Sequence, residues 1–363
     1  MIPFTGNHEI RELVSAGCHA LTAKQLKHIN INPELHEDQK AIILKVLNDN
    51  EKAFAWSLRE IGKCTIGHYH IDTGDSPPIA VPYHRKSHFE NKVLGEQVKE
   101  LLDAGIIEKS RSPWAANALA VPKKADNTGQ TSWRMVVSYK KLNTVTKLDR
   151  YPMPRIDELL SNLKGSKYFA KIDLFSGYFQ IPMCECCKEK TAFYTSEGLF
   201  QYKYMSFGMC NSPSEFNRVM REVLSDLLGT ACLCYMDDIL VFGTDFQSFI
   251  QNLTYVLQRL IKFNLTAKPT KCSWGMQKID LLGHLITPDG IECDPDKLQA
   301  IQQLPVPRNV KDVRSIFRYR RRFDAEARFE ISSRSVRQQD THSSREELWG
   351  NGNRMFSSYI LHR

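Results

Sequence analysis

The stretch Ala231-Cys232-Leu233-Cys234-Tyr235-Met236-Asp237-Asp238-Ile239-Leu240-Val241-Phe242 sets two adjacent carboxylates between two apolar arms. It reads as a β-hairpin with acid at its tip. Neighbouring side chains of a regular strand point to opposite faces, so Asp237 and Asp238 can serve one site together only at a tight turn. The apolar arms would pin that turn to a buried sheet. Paired metal ions that drive phosphoryl or nucleotidyl transfer need hard oxygen ligands held on a rigid support of this kind. The dipeptide alone decides nothing, because average composition yields an Asp-Asp pair at roughly one position in 250.

A third carboxylate in similar surroundings strengthens the reading. Asp173 ends the β-prone run Tyr168-Phe169-Ala170-Lys171-Ile172 and is followed by Leu174-Phe175-Ser176-Gly177-Tyr178. Two buried strands thus each deliver acid at one end. On pattern alone these acids are either a metal-dependent active site or solvated turn carboxylates.

Outward from this centre, helices and strands interleave. Ile156, Leu159, Leu160 and Leu163 give a helix closed by Gly165, leading into the strand that ends at Asp173. Ser212-Pro213-Ser214-Glu215 reads as a capping box with proline at the first helical position, followed by Phe216, Val219, Met220, Val223, Leu224 and Leu227. Ile250, Leu253, Leu257, Leu260 and Ile261 mark another amphipathic helix. Upstream, Ala118 to Val121 and Trp133 to Tyr139 read as strands of a hairpin that brings Lys123, Lys124 and Arg134 near one another. Val98, Leu101 and Leu102 form a helical stripe that stops at Gly105, preceded by an extended linker with Pro77, Pro78 and Pro82. Residues 1–75 look like a loosely organised lead-in. Recurrent hairpins among the helices predict an α+β fold with a mainly antiparallel sheet rather than a doubly wound one.

At 363 residues and 42% hydrophobic, the chain can bury a sizeable core. No apolar run reaches membrane-span length, and Met1 to Lys24 lacks the hydrophobic segment of a secretory signal, so an intracellular protein with no membrane partner is expected. The ten cysteines then read as reduced thiols. Cys184-Glu185-Cys186-Cys187 is their one cluster; with no second Cys or His pair at structural-zinc spacing, it reads as a surface loop. The net charge of +8 is concentrated at the end: residues 308–363 carry twelve Arg and one Lys against seven acids, so the other 307 residues hold only +2. Basicity therefore says little about the function of the core.

From about Phe54 to Phe323 the chain resembles the reverse transcriptases of retroviruses and, most closely, of gypsy-type long-terminal-repeat retrotransposons. The strings that carry the resemblance are FAWS, HIDTG, AGII, SPWA, SWRMVVSYKKLN, YPMPRID, FAKIDLFSGYFQI, EKTAF, FGMCNSP, CYMDDILVF, LLGHLITPDGI and VRS, in the family's order. It implies a right-hand polymerase with fingers, palm and partial thumb: 76–290 for fingers and palm, 291–322 for a truncated start of the thumb or connection, and 323–363 for an aberrant Arg-rich tail. It implies an RNA-directed DNA polymerase, extending a primer on an RNA or DNA template with deoxynucleoside triphosphates. A non-catalytic nucleic-acid-binding remnant is the alternative, and an RNA-directed RNA polymerase a third reading. Subunit number is left open.

The resemblance also assigns residues. Asp173, Asp237 and Asp238, with the backbone carbonyl of Leu174, would hold two Mg2+ ions. Lys123 or Lys124 and Arg134 match the triphosphate-binding positions. Tyr178 falls where the family carries an aromatic gate against a ribose 2′-hydroxyl, which favours a DNA product. Phe207-Gly208 resembles the loop backing the nucleotide, Met236 would lie beside the primer terminus, and Leu282-Gly283-His284 matches the hairpin that grips the primer end. Three departures stand out: Ser138-Tyr139-Lys140 where Asp-Tyr-Arg is usual, Ser206 in place of a common proline, and Cys184 to Cys187 replacing a usually acidic loop. The final forty residues, with six Arg and no Lys, look like translation out of the ancestral frame or a disordered tail.

Overall fold

The hairpin predicted around the Asp-Asp pair forms, and it lies in the sheet that organises the protein. A computed structural model describes residues 25, 28–122, 132–152, 158, 161–163, 165–281, 284–287 and 290–293. The chain divides into two compact units, 1–292 and 293–363. Among the described residues its strands are β1 (Asn30–Ile31), β2 (Ile107–Lys109), β3 (Ala116–Pro122), β4 (Trp133–Ser138), β5 (Tyr168–Asp173), β6 (Phe193–Thr195), β7 (Gly198–Tyr202), β8 (Cys232–Tyr235), β9 (Asp238–Gly243), β10 (Ser273–Met276), β11 (Ile279–Leu281), β12 (His284–Thr287) and β13 (Gly290–Cys293). The α-helices among the described residues are α1 (Glu37–Asp49), α2 (His88–Asp103), α3 (Lys140–Val145), α4 (Ser212–Leu224) and α5 (Phe246–Lys262).

Three sheets result. The first has the order β1-β10-β5-β9-β8, antiparallel except where β1 runs parallel to β10. A second has the order β2-β7-β6-β3-β4, with β3 and β6 its parallel pair, and β11-β12-β13 form a third. The structure is therefore α+β and mainly antiparallel. The apolar arms of the hairpin, Cys232 to Cys234 on edge strand β8 and Ile239 to Phe242 on β9 beside it, are buried.

Two amphipathic helices pack with this sheet. On α5, Phe249, Leu253, Val256, Leu257 and Leu260 recur at helical spacing and are wholly buried, and the helix contacts β9. Its start is fixed by Asp245, whose carboxylate accepts from Ser248 N at 2.9 Å. On α4, Phe216, Val219, Met220, Val223 and Leu224 are buried likewise. Its cap differs from the expectation by one residue. Asn211 is the N-cap, while the Ser212 hydroxyl donates to Ser206 O at 3.0 Å and Glu215 pairs with Arg218, so no capping box forms.

Within the described residues, the expectation of a loosely organised lead-in fails from residue 28 onward. Leu35, Ile43, Leu47, Ala53, Phe54, Tyr69 and Ile71 belong to the main core, and β1 pairs with β10 across 243 positions of sequence. Short 3-10 turns and single bridges tie the segment in, and these leave no periodic trace in the sequence. Gln180 provides another long-range tie: completely buried, it donates to Phe175 O (3.0 Å) and Thr266 O (2.7 Å) and accepts from Thr266 N (2.7 Å). Its amide is thus paired at both ends. No helix among the described residues is long and apolar enough to cross a membrane.

Candidate active site

The three carboxylates meet because β5, the central strand of the first sheet, has β9 as its neighbour. Their register runs from Tyr168↔Gly243 to Asp173↔Asp238, which sets those two acids directly opposite each other. Asp237 follows from the turn: Tyr235 pairs with Asp238, leaving Met236 and Asp237 as a two-residue loop. Leu174 N donates to Asp237 O at 3.3 Å, joining the end of β5 to the same turn. Like charges opposite one another destabilise a sheet, so this arrangement is not explained by folding.

Backbone strain gathers here too. Of the three described non-glycine residues with positive φ, two flank the acids: Met236 (52°) and Ser176 (48°). Such conformations cost about 1–3 kcal/mol each and persist where surrounding structure imposes them. Gly177 follows Ser176 because a side chain does not fit. A Cβ there would stand 2.8 Å from Phe216 Cζ and 3.3 Å from Asp237 Oδ1.

Electrostatically the site is a partly desolvated anion cluster. The Asp237 carboxyl is pushed up to about 6 by burial first, then by Asp173 and Asp238, with Lys271 opposing. Its Oδ1 is buried with no hydrogen-bond partner. Asp173 is also raised, by burial above all, against the pull of Lys271. Two lysines supply counter-charge: Lys171 Nζ lies 2.9 Å from Asp238 Oδ2, and Lys271 Nζ lies 3.2 Å from Asp173 Oδ2. An orphaned buried carboxylate oxygen, two further carboxylates and ammonium groups as stand-in cations form a donor set that fits hard divalent ions.

Neither lysine was singled out in the sequence. Lys171 was accessible to it, since period-2 alternation puts Lys171 and Asp173 on one face of β5. Lys271 was not; it arrives in a 3-10 turn (Pro269–Lys271) 98 positions downstream.

The remaining expected residues divide. Tyr178 is nearly buried, stacks on Phe207 with ring centroids 4.8 Å apart, and tilts against Phe216 at 5.2 Å. Burial, and then the charge of Asp237, push its phenol up to about 12. Phe207 keeps 46% of its surface exposed, and Gly208 has φ 91° with Val137 O only 3.3 Å from where a Cβ would stand. Arg134 is exposed on β4, opposite Val121. Met236 is half-buried in the turn, and the backbone of His284 pairs with Leu281. Lys123, Lys124, Leu282 and Gly283 lie outside the described residues.

A mainly antiparallel sheet whose neighbouring strands β5 and β9 bring three carboxylates to one end, packed with two amphipathic helices, is the palm of a right-hand polymerase. Residues 121–286 match the family model described as Reverse transcriptase (RNA-dependent DNA polymerase). The chain is 39% identical over 251 residues to the retrovirus-related Pol polyprotein from transposon 297 of Drosophila melanogaster, covering 69% of this chain and 24% of that protein. It is 37% identical over 293 residues to that from transposon opus of the same species, covering 79% and 29%. It thus spans about a quarter of the length of these relatives. Among solved structures, the foamy viral protease-reverse transcriptase in complex with RNA/DNA hybrid superimposes with a TM-score of 0.69 at 21% identity, over 87% of this chain and 40% of that one. The same protein in complex with dsDNA gives 0.70 at 21%, over 87% and 62%. Residues 121–286 thus carry a reverse transcriptase domain, and the chain is similar to the Pol polyproteins of gypsy-type retrotransposons.

Proposed function

We propose that this chain is an RNA-directed DNA polymerase module that extends a primer on an RNA or DNA template. The observation that carries the reading is the Asp173↔Asp238 pairing beside Asp237, whose inner oxygen has no partner. Asp173, Asp237 and Asp238 would hold two magnesium ions, with the Leu174 carbonyl assisting. Magnesium bound there would acidify the primer 3′-hydroxyl and neutralise charge on the triphosphate.

The chain's own residues do the rest. The paired strands hold the carboxylates still, so that attacking and leaving oxygens share one rigid frame. Tyr178, locked between Phe207 and Phe216, presents a flat ring that excludes a ribose 2′-hydroxyl by bulk. The exposed face of Phe207, backed by Gly208, is a stacking platform for a base. Arg134, with Lys123 or Lys124, would bind the triphosphate. Met236 would stand at the primer terminus, and Leu282, Gly283 and His284 would grip the primer strand. Contacts to template would be mainly to backbone and therefore weakened by salt.

Primer extension on an oligo-primed RNA template tests this directly. Deoxynucleotide addition by the wild type that disappears in Asp237→Asn supports the enzyme. Binding of primer-template without extension by either protein would favour the non-catalytic remnant, and a preference for ribonucleotides would favour an RNA polymerase.

A further inference from the structure

Away from the carboxylates, the turn that begins at Cys184 meets a histidine from far upstream. Residues 69 and 182–184 run side by side: Tyr69 N donates to Pro182 O at 2.9 Å, and Cys184 N donates to Tyr69 O at 3.0 Å. This pairing lays His70 against the 3-10 segment Glu185–Thr191. His70 Nδ1 then lies 3.2 Å from Cys187 Sγ and 3.8 Å from Cys186 Sγ. Cys186 Sγ is 3.6 Å from Cys187 Sγ and 2.7 Å from Cys184 Sγ. All four donor atoms fall within 4.8 Å of one another.

We infer that His70, Cys184, Cys186 and Cys187 form a binding site for one zinc ion. Tetrahedral zinc, with bonds of about 2.3 Å to sulfur and about 2.0–2.1 Å to nitrogen, sets its donors about 3.5–3.8 Å apart. Three of the four separations above already lie near that range. The fourth, Cys184 to Cys186, needs to open by about 1 Å to reach it, which the exposed Cys186 side chain can do by rotating. Support beyond the ligands is in place. Buried Cys187 accepts from Ile71 N at 3.2 Å, a bond that holds a thiolate, and Lys190 Nζ donates to Ile71 O at 2.8 Å, setting a cation close by. Three thiolates and one Zn2+ leave one net negative charge for that cation to offset. The expectation of an ordinary surface loop missed this because the fourth donor comes from 116 positions away. Bound zinc would clip the 69–71 segment to the 184–187 turn, adding metal bonds to the hydrogen bonds that already join them. The site is independent of the polymerase reading.

The test is competition for zinc between the reduced full-length chain and a chromogenic chelator, in excess magnesium so that the palm carboxylates do not contribute. One tightly held zinc per chain is expected, with thiolate-to-metal charge-transfer bands when cobalt replaces it. Cys186→Ser and His70→Ala should each bind more than about 100-fold more weakly, since even loss of a supporting partner costs about 10–100-fold. Asp237→Asn and Cys210→Ser should bind as wild type does. Cys186 is exposed, so its variant keeps the fold even where His70→Ala does not. Absence of zinc binding, or equal binding by Cys186→Ser, would overturn the assignment.

Discussion

Replacing Asp237 with Asn should make this protein inactive and, without metal, more stable. The Asp237 carboxyl titrates at about 6 because it is buried beside Asp173 and Asp238, against an ordinary value of 3.8. Its anion is therefore disfavoured in the fold by about 3 kcal/mol. The folded state binds the proton more tightly than the unfolded one, so stability falls as pH rises from 3.8 to about 6. The penalty is complete above that range and absent below it. Asn carries no charge and escapes it, though its amide inherits a partly unpaired buried position that offsets about 1–2 kcal/mol. A net gain of about 1–2 kcal/mol near neutral pH remains, or about 2–4 °C in unfolding midpoint per kcal/mol. Thermal unfolding in a chelator, at neutral pH and near pH 4, measures it: the variant should lead at neutral pH and fall behind the wild type near pH 4, where only the cost of the amide remains. Saturating magnesium should stabilise the wild type selectively, since a ligand of the folded state raises its stability by mass action. A variant destabilised equally at both pH values would refute the idea that charge crowding, rather than packing, governs this position.

Three further outcomes follow from the same geometry. Lys271→Met removes the cation that opposes the rise in the Asp173 carboxyl, so the acid limb of the pH–rate profile should move to higher pH; an unmoved limb would show that Lys271 does not tune the site. Tyr178→Ala should raise ribonucleotide incorporation relative to deoxynucleotide by more than about tenfold in competitive single-nucleotide addition, about 1–3 kcal/mol of lost discrimination, and unchanged sugar choice would remove the gate assignment. Gly177→Ala places a methyl 2.8 Å from Phe216, which should cost about 1–3 kcal/mol in denaturant unfolding and lower extension by displacing Asp237; full activity would mean that the turn relaxes freely.

Local signals carried much of this structure. The hairpin at 231–242 and the strand ending at Asp173 were legible because apolar runs with acid at one end have few other ways to fold, and α2, α4 and α5 followed from their 3.6-residue spacing. What the sequence hid was long-range. The place of residues 28–75 in the core depends on pairings such as Asn30↔Ser273 and on short 3-10 turns without a period. Lys271 reaches Asp173 from 98 positions away, and His70 reaches the cysteines from 116. Side-chain direction in an irregular turn leaves no pattern to read. The cap of α4 slipped by one residue because the Ser212 hydroxyl donates to Ser206 O in the fold, which leaves Asn211 at the N-cap position.

The central claim is that three carboxylates share divalent ions. Manganese can stand in for magnesium in crystals of the chain with primer-template and an incoming nucleotide, and its anomalous scattering locates bound metal without assumptions about mechanism. Two peaks about 3.5–4 Å apart, bracketed by Asp173, Asp237 and Asp238, are predicted. Ordered primer and nucleotide with no metal at these carboxylates would contradict the account.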